Sequence, residues 1–331
     1  MRSRDQSGTV AEISRVDAIN FEPSFITACK LSVAHIVFPS LAGRGSSEKT
    51  RTRKPGKLWM AIPQPVELFG INLHPCRMSE AVDELCGWIA SSGTGRCRYV
   101  VTPNVNHAVL LQRHAEFARV YADADFVLAD GVPIVLLARM FGRSVPERVA
   151  GSDLVPLLFD RARAESPIRV YLLGARPEVS ERASKAVENR WPWIRVVGRH
   201  SPAFGFEHSE TENARILAQI AAAEPDVLIV GLGAPKQELW VHQHRDRIGA
   251  KVALCVGATI DFLAGEKQRA PRWMRRTGLE WMHRVALEPR RLSGRYLRDG
   301  LALPGLVFRE LRHSVTRRRP LERHRQMSKR A

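Results

Sequence analysis

The apolar stretch Phe126–Ala129 ends in Asp130-Gly131. A carboxylate at the tip of a strand can accept a proton from an attacking hydroxyl. The alternative role for Asp130 is an N-cap of the following helix. A second candidate is Gly231-Leu-Gly-Ala-Pro-Lys-Gln-Glu238, which leaves a strand pattern and opens a helical one. Its free backbone N–H groups and positive helix end suit a diphosphate, although an ordinary βα turn uses the same residues. It is neither Gly-x-Gly-x-x-Gly nor a P-loop, because Gly-Lys-Ser/Thr is missing. That counts against a dinucleotide-dependent oxidoreductase. Asp123-Ala-Asp125 has a metal-holding spacing but precedes its strand, so it reads as a surface turn at the amino edge of a sheet. His244-Arg245-Asp246 falls within a helical pattern and reads as a solvated face. His107, His242 and His244 form no convincing ligand set, and no metal is expected.

The elements that must position these residues follow from periodicity. Val66–Leu73 is a short apolar segment. Ser79–Ser91 carries Val82, Leu85, Cys86 and Ile89 at helical spacing, with Ser79 as N-cap. Strands are expected at Arg98–Thr102, Phe126–Ala129, Arg169–Leu173, Ile194–Val197, Asp226–Val230 and Val252–Val256, with helical patterns between them. Pro133 falls in a first helical turn, where its missing N–H costs nothing. Nearly continuous apolar strands alternating with helices imply an α/β fold, a Rossmann-like parallel sheet with helices on both faces. Ligands of such sheets bind beyond the carboxyl ends of the strands. That rule groups Thr102 and Asn104, Asp130 and Gly131, Gly174, Gly231–Gln237 and Gly257–Asp261 at one edge.

Of the 331 residues, 44% are hydrophobic, enough for a buried core, and no apolar run reaches the ~18 residues that cross a bilayer. The five cysteines are odd in number and widely spaced, which fits a reducing compartment rather than a disulfide framework. The net charge of +17 is concentrated in the tail, where residues 266–331 hold 19 Lys and Arg against 6 Asp and Glu. Three regions follow: 1–60, a Gly/Ser/Lys/Arg-rich extension that reads as disordered, with Met60 as an alternative start; 61–265, the α/β core; and 266–331, a basic, helical C-terminal appendage. The appendage mixes Trp273, Trp281 and Tyr296 with arginines, a combination suited to an anionic membrane surface. A nucleic-acid-binding α/β protein is the competing reading of the same charge.

Thr102-Pro-Asn104, Ala129-Asp-Gly131, Arg148-Val-Ala-Gly-Ser-Asp153, Gly231–Glu238, Gly257-Ala-Thr-Ile-Asp261 and Ala270-Pro-Arg-Trp273 occur in one order, followed by Gly278-Leu-Glu-Trp281, Arg284, Glu288-Pro289 and Arg295-Tyr296. Together they resemble the WecG/TagA/CpsF glycosyltransferase family, glycosyltransferase family 26, over roughly residues 66–298. The resemblance implies an inverting transfer of N-acetylmannosamine, its uronic acid or glucose from a UDP-sugar to an undecaprenyl-diphosphate-linked acceptor. It implies Asp130 as general base, with Thr102 and Asn104 in the donor and catalytic pocket and Gln237 and Asp261 in the nucleotide pocket. Gly131, Gly233, Lys236 and Glu238 complete the substrate-binding set, with Arg148, Arg284, Arg291 and Arg295 as the cations that face the leaving diphosphate. It further implies metal independence, no cofactor beyond the substrate, no nucleic-acid partner, and a peripheral place on the inner face of the cytoplasmic membrane. A homo-oligomer is compatible with all of this. The stretch after Thr-Pro-Asn runs Val105-Asn106-His107, where many members carry a carboxylate, so the donor sugar stays open.

Overall fold

The computed structural model describes residues 63–91, 95–162 and 166–327; the expected extension 1–60 and the start at Met60 lie outside them. The chain enters through a hairpin, β1 (Val66–Leu68) and β2 (Ile71–Leu73). The single segment expected there is split because Phe69 and Gly70 both take positive φ and reverse the chain. Next come α1 (Met78–Ala90), β3 (Arg98–Val101), α2 (Val105–Leu111), α3 (Ala115–Ala122), β4 (Phe126–Val127), α4 (Val132–Met140) and α5 (Gly151–Arg161). β5 (Ile168–Gly174), α6 (Pro177–Arg190), β6 (Ile194–His200), α7 (Glu210–Ala223), β7 (Val227–Gly231), α8 (Lys236–His244), β8 (Val252–Cys255) and α9 (Thr259–Leu263) complete the alternation. The tail adds α10 (Arg272–Thr277), α11 (Glu280–Leu287) and the long α12 (Pro289–Met327). Ser79 lies inside α1 rather than capping it; Arg77 is the N-cap, and its N–H is taken by the Glu80 carboxylate at 2.6 Å.

The six strands β3–β8 form one parallel sheet in the order β4-β3-β8-β7-β5-β6. Their side chains alternate between two cores. Tyr99, Val101, Leu228, Val230 and Ala253 face α2, α3, α4, α7 and α8, whereas Val100, Val227, Ile229 and Leu254 face α1, α5, α6 and α9. Because α2 leaves β3 on one face and α9 leaves β8 on the other, the carboxyl edge opens into a crevice between these neighbours.

The tail helix α12 packs on α2 of the core. Leu292, Asp299, Leu306 and Glu310 recur on one side of α12 and are buried. Asp299 accepts from Asn106 Nδ2 at 3.0 Å, and Glu310 pairs with Arg143 while accepting from the Phe69 N–H at 3.0 Å.

At the crevice floor three strand ends touch backbone to backbone. A Cβ on Gly174 would lie 2.6 Å from the Gly231 carbonyl, and one on Gly231 would lie 2.9 Å from that of Gly257. Gly174→Ala should therefore destabilise by at least ~2 kcal/mol in urea unfolding, the sum of positive-φ strain and overpacking. Gly205→Ala, with a similarly positive φ of +83° but open space around it, should cost only ~1 kcal/mol. Equal losses would show that close approach is not what requires glycine at 174.

Candidate active site

Asp130 leaves the end of β4 and is held by its own N–H, which donates to the Pro103 carbonyl at 2.9 Å. Its side chain caps nothing: the N-cap of α4 is Gly131, at φ 115°, with no side-chain bond. The carboxylate faces a cluster of charge. Arg148 Nη1 lies 3.6 Å from Asp130 Oδ1 and 3.2 Å from Glu280 Oε2, while Arg148 Nη2 lies 2.8 Å from Asp153 Oδ2. Asp153 also holds Arg269 and Arg275, each at 3.0 Å, and Glu280 holds Arg284 at 2.9 Å. Two carboxylates thus gather four arginines, three of them from the tail, around one candidate base.

The surrounding protein dominates the titration of Asp130. Only 27% of its side chain is exposed, and desolvation raises its pKa from 3.8 to about 6, against the pull of Arg148 and Arg284. The Glu280 carboxylate pushes in the same upward direction. Arg284 in turn is held more firmly protonated, because Glu280 and Asp130 outweigh its own desolvation.

A second polar chain ties the loops together. Asn104 caps α2, its Oδ1 accepting from the Asn106 N–H at 3.0 Å, and its own N–H reaches His107 Nδ1 at 3.2 Å. That bond leaves His107 Nε2 to face Glu238 Oε1 at 3.5 Å. Glu238, fully buried, accepts from Gln237 Nε2 at 2.8 Å. Gln237 Oε1 accepts from the N–H groups of both Gly233 and Gly257, each at 3.2 Å. The loops after β3, β7 and β8 are thereby joined, and Thr102 Oγ1 adds a bond to the Cys255 carbonyl at 3.3 Å.

The expected residues are not all placed alike. Thr102, Asn104, Asp130, Gly131, Arg148, Gly233, Gln237 and Glu238 lie at the carboxyl edge, but Gln237 is buried with its Oε1 on two loop N–H groups, and buried Glu238 meets Gln237 and His107 through Oε1 while its Oε2 has no hydrogen-bond partner. Lys236 turns to Glu207, 2.7 Å away, and to the faces of Phe204 and Phe206. Asp261 sits 3.9 Å from Lys267, which also pairs with Glu288. Arg284 reaches the Asp130 cluster, whereas Arg291 pairs with Glu288 and is 65% exposed, and Arg295 lies over Tyr296. Asp153, Arg269, Arg275 and Glu280 join the site beyond the expected set; Asp153 and Glu280 fall within the matching motifs and Arg275 within the basic run of the tail. His244 and Arg245, expected on a solvated face, are buried. Arg245 pairs with Asp125 at 2.6 Å because α8 ends beside the Asp123–Asp125 turn at the amino edge of the sheet. Among the described residues no three His, Cys, Asp or Glu side chains converge to hold a metal.

The model of the family described as "Glycosyl transferase WecG/TagA/CpsF family" matches residues 66–318. An N-acetylglucosaminyldiphosphoundecaprenol N-acetyl-beta-D-mannosaminyltransferase of Bacillus spizizenii is 30% identical over 222 residues, covering 67% of this chain and 82% of the relative. A protein of the same name from Staphylococcus aureus strain MRSA252 is 28% identical over 231 residues, covering 69% of this chain and 87% of the relative.

The raised pKa has a stability consequence. Between pH 3.8 and about 6 the folded state binds the Asp130 proton more tightly than the unfolded chain does. The stability this provides is complete below the lower value and lost as pH rises through the upper one. At pH 7.5 the wild type therefore carries an ionised, poorly solvated carboxylate, and Arg148 keeps two other acidic partners without it. Asp130→Asn should raise the melting temperature at pH 7.5, by no more than ~3 kcal/mol of stability, and the gain should vanish near pH 4. A melting temperature below wild type at pH 7.5 would refute the desolvation argument.

Proposed function

The chain belongs to the WecG/TagA/CpsF glycosyltransferase family, and from that premise we propose that it transfers a sugar, with inversion, from a UDP-sugar to a polyprenyl-diphosphate-linked sugar. The observation that carries the reading is the carboxylate of Asp130, set beside Arg148 of the core and Arg284 of the tail, at the same carboxyl edge of the sheet from which the Gly233 loop leaves β7. Asp130 takes the proton of the acceptor hydroxyl as that oxygen attacks the anomeric carbon. The bond to UDP breaks on the opposite face, and the diphosphate leaves with the electron pair. General-base help of this kind is worth ~10²–10⁴ in rate.

Arg148 and Arg284 are the cations nearest the base, and they offset the charge that develops on the diphosphate. We read the reaction as needing neither metal nor cofactor because these guanidiniums supply the positive field. The names of the two relatives favour UDP-N-acetylmannosamine as donor over its uronic acid or glucose, and N-acetylglucosaminyl-diphosphoundecaprenol as acceptor.

No helix among the described residues is long and apolar enough to cross a membrane. A peripheral place on the inner face of the cytoplasmic membrane is supported by α12. Opposite its buried side it exposes Leu297, Leu301, Phe308 and Leu311 on one stripe, flanked by Arg298, Arg309 and Arg312. An apolar stripe edged with arginine suits an anionic leaflet.

Incubation with UDP-N-acetylmannosamine and N-acetylglucosaminyl-diphosphoundecaprenol should release UDP, unaffected by EDTA. Asp130→Asn should lower kcat ~10²–10⁴-fold while UDP still protects it against heat. Because the base acts deprotonated, wild-type kcat/KM should fall below a pH of about 6, and the variant should lack that limb. Wild-type turnover by the variant would remove Asp130 from the role. For the membrane, the double substitution Leu301→Glu/Phe308→Glu should weaken sedimentation with phosphatidylglycerol vesicles at least tenfold. Undiminished sedimentation would place the contact elsewhere.

A further inference from the structure

A groove of 530 Å³ runs from the Asp130 cluster along α4, walled by Val132, Val135, Leu136 and Pro146 and by Arg272 and Arg275 of α10. Its two sides are locked together: Gly278, which ends α10, approaches Val132 so closely that a Cβ would fall 2.9 Å from the valine Cβ. The inner end is Arg148, whose guanidinium is 3.6 Å from the candidate base. Leu136, which lines the groove, is 51% exposed; Met140, one helical turn beyond the lining, is 75% exposed, and with Val132 they repeat every four residues along one strip of the helix.

The lining of the groove is mostly cationic, with Arg148 and Arg275 paired to Asp130, Asp153 and Glu280 at its inner end. Four arginines line it, Arg139, Arg148, Arg272 and Arg275, against the single carboxylate of Glu147. Glu147 directs an oxygen to the Met78 N–H at the start of α1. Arg139 donates to the neutral carbonyls of Val145 and Pro146, which leave its charge in place. Arg272 is exposed. A cationic head beside the base that continues into an apolar trough matches a ligand with a diphosphate joined to a hydrocarbon chain.

We propose that the α4–α10 groove is the acceptor's lipid subsite. The diphosphate of the acceptor lies against Arg272 and Arg275, and the first isoprene units lie on Val132, Leu136 and Met140. This rests on the sugar-transfer reading above, and it orders the acceptor along the groove. The sugar hydroxyl sits at Asp130, the diphosphate follows at the arginines, and the hydrocarbon leads outward past Met140.

The test compares two acceptors carrying the same sugar, one on undecaprenyl and one on farnesyl diphosphate, in one detergent. Leu136→Glu, at a half-exposed position where folding is not at stake, should lower the ratio of kcat/KM for the long chain to that for the short chain at least fivefold. Met140→Glu should act in the same direction, because it lies farther out. Arg272→Gln should raise KM for both acceptors together and leave KM for the UDP-sugar within twofold. A long-to-short ratio unchanged in both α4 variants overturns the subsite, as does a change in donor KM without a change in acceptor KM. If the wild type releases no UDP with either acceptor, it is the sugar-transfer reading that fails.

Discussion

The guanidinium of Arg148 is the joint on which the site depends. It touches Asp130 of the β4 loop, Asp153 of the first turn of α5 and Glu280 of α11. Those three carboxylates lie far apart in the chain, and the planar fork of arginine can satisfy them at once. Removing Asp153 or Glu280 would leave charge poorly solvated, which costs far more than a surface pair. Asp153 repeats the device from the other side, collecting Arg269 and Arg275 onto the end of the core. The active site is thus closed by ion pairs rather than by apolar packing, and its cations arrive already oriented.

Orientation comes with a titration consequence. The more arginines surround Asp130, the weaker a base it would ordinarily be, since positive charge favours its ionised form without a proton to accept. Desolvation works in the opposite direction and wins, with Glu280 adding to it. Glu280 therefore does two things at once: it fixes Arg148 and Arg284 and spares Asp130 part of their field. A carboxylate near pH 6 accepts a proton far more readily than one near 4, and it is still ionised at neutral pH.

Much of the scaffold was legible in the chain because its signals are local. Apolar strands, a first-turn proline at 133 and glycines at strand ends each reflect a backbone requirement written within a few residues. The edge that collects Thr102, Asp130, Gly233 and Gly257 followed from topology alone. What was not legible depends on which distant charges meet. Nothing in the tail distinguishes Arg275, which binds Asp153, from Arg291, which pairs with Glu288 three residues before it. Lys236 belongs to the expected substrate-binding set, and its contacts with Glu207, Phe204 and Phe206 join residues that no local pattern brings together. Arg245 read as part of a solvated helix face, yet it is buried and pairs with the half-buried Asp125 at the amino edge. Gln237 carried the right position for a ligand contact, but its carbonyl spans the β7 and β8 loops.

The long helix α12 links these observations to a surface. Its buried side is pinned by acidic groups, Asp299 to Asn106 and Glu310 to Arg143 and the β1–β2 turn. Asn106 is in the first turn of α2, two residues after the Asn104 cap and just before His107, so α12 braces the start of that helix. A helix fixed at two such points behaves as a strut rather than a tether. Whatever its outer stripe rests on, the crevice is held at a set height and tilt above it. The proposed reaction, between a water-soluble donor and a membrane-bound acceptor, would use such a constraint to bring the hydroxyl to Asp130 while its lipid stays anchored. The contacts of Asp299 and Glu310, distinct from the ion pairs around Arg148, set the distance between that carboxylate and the outer stripe of α12.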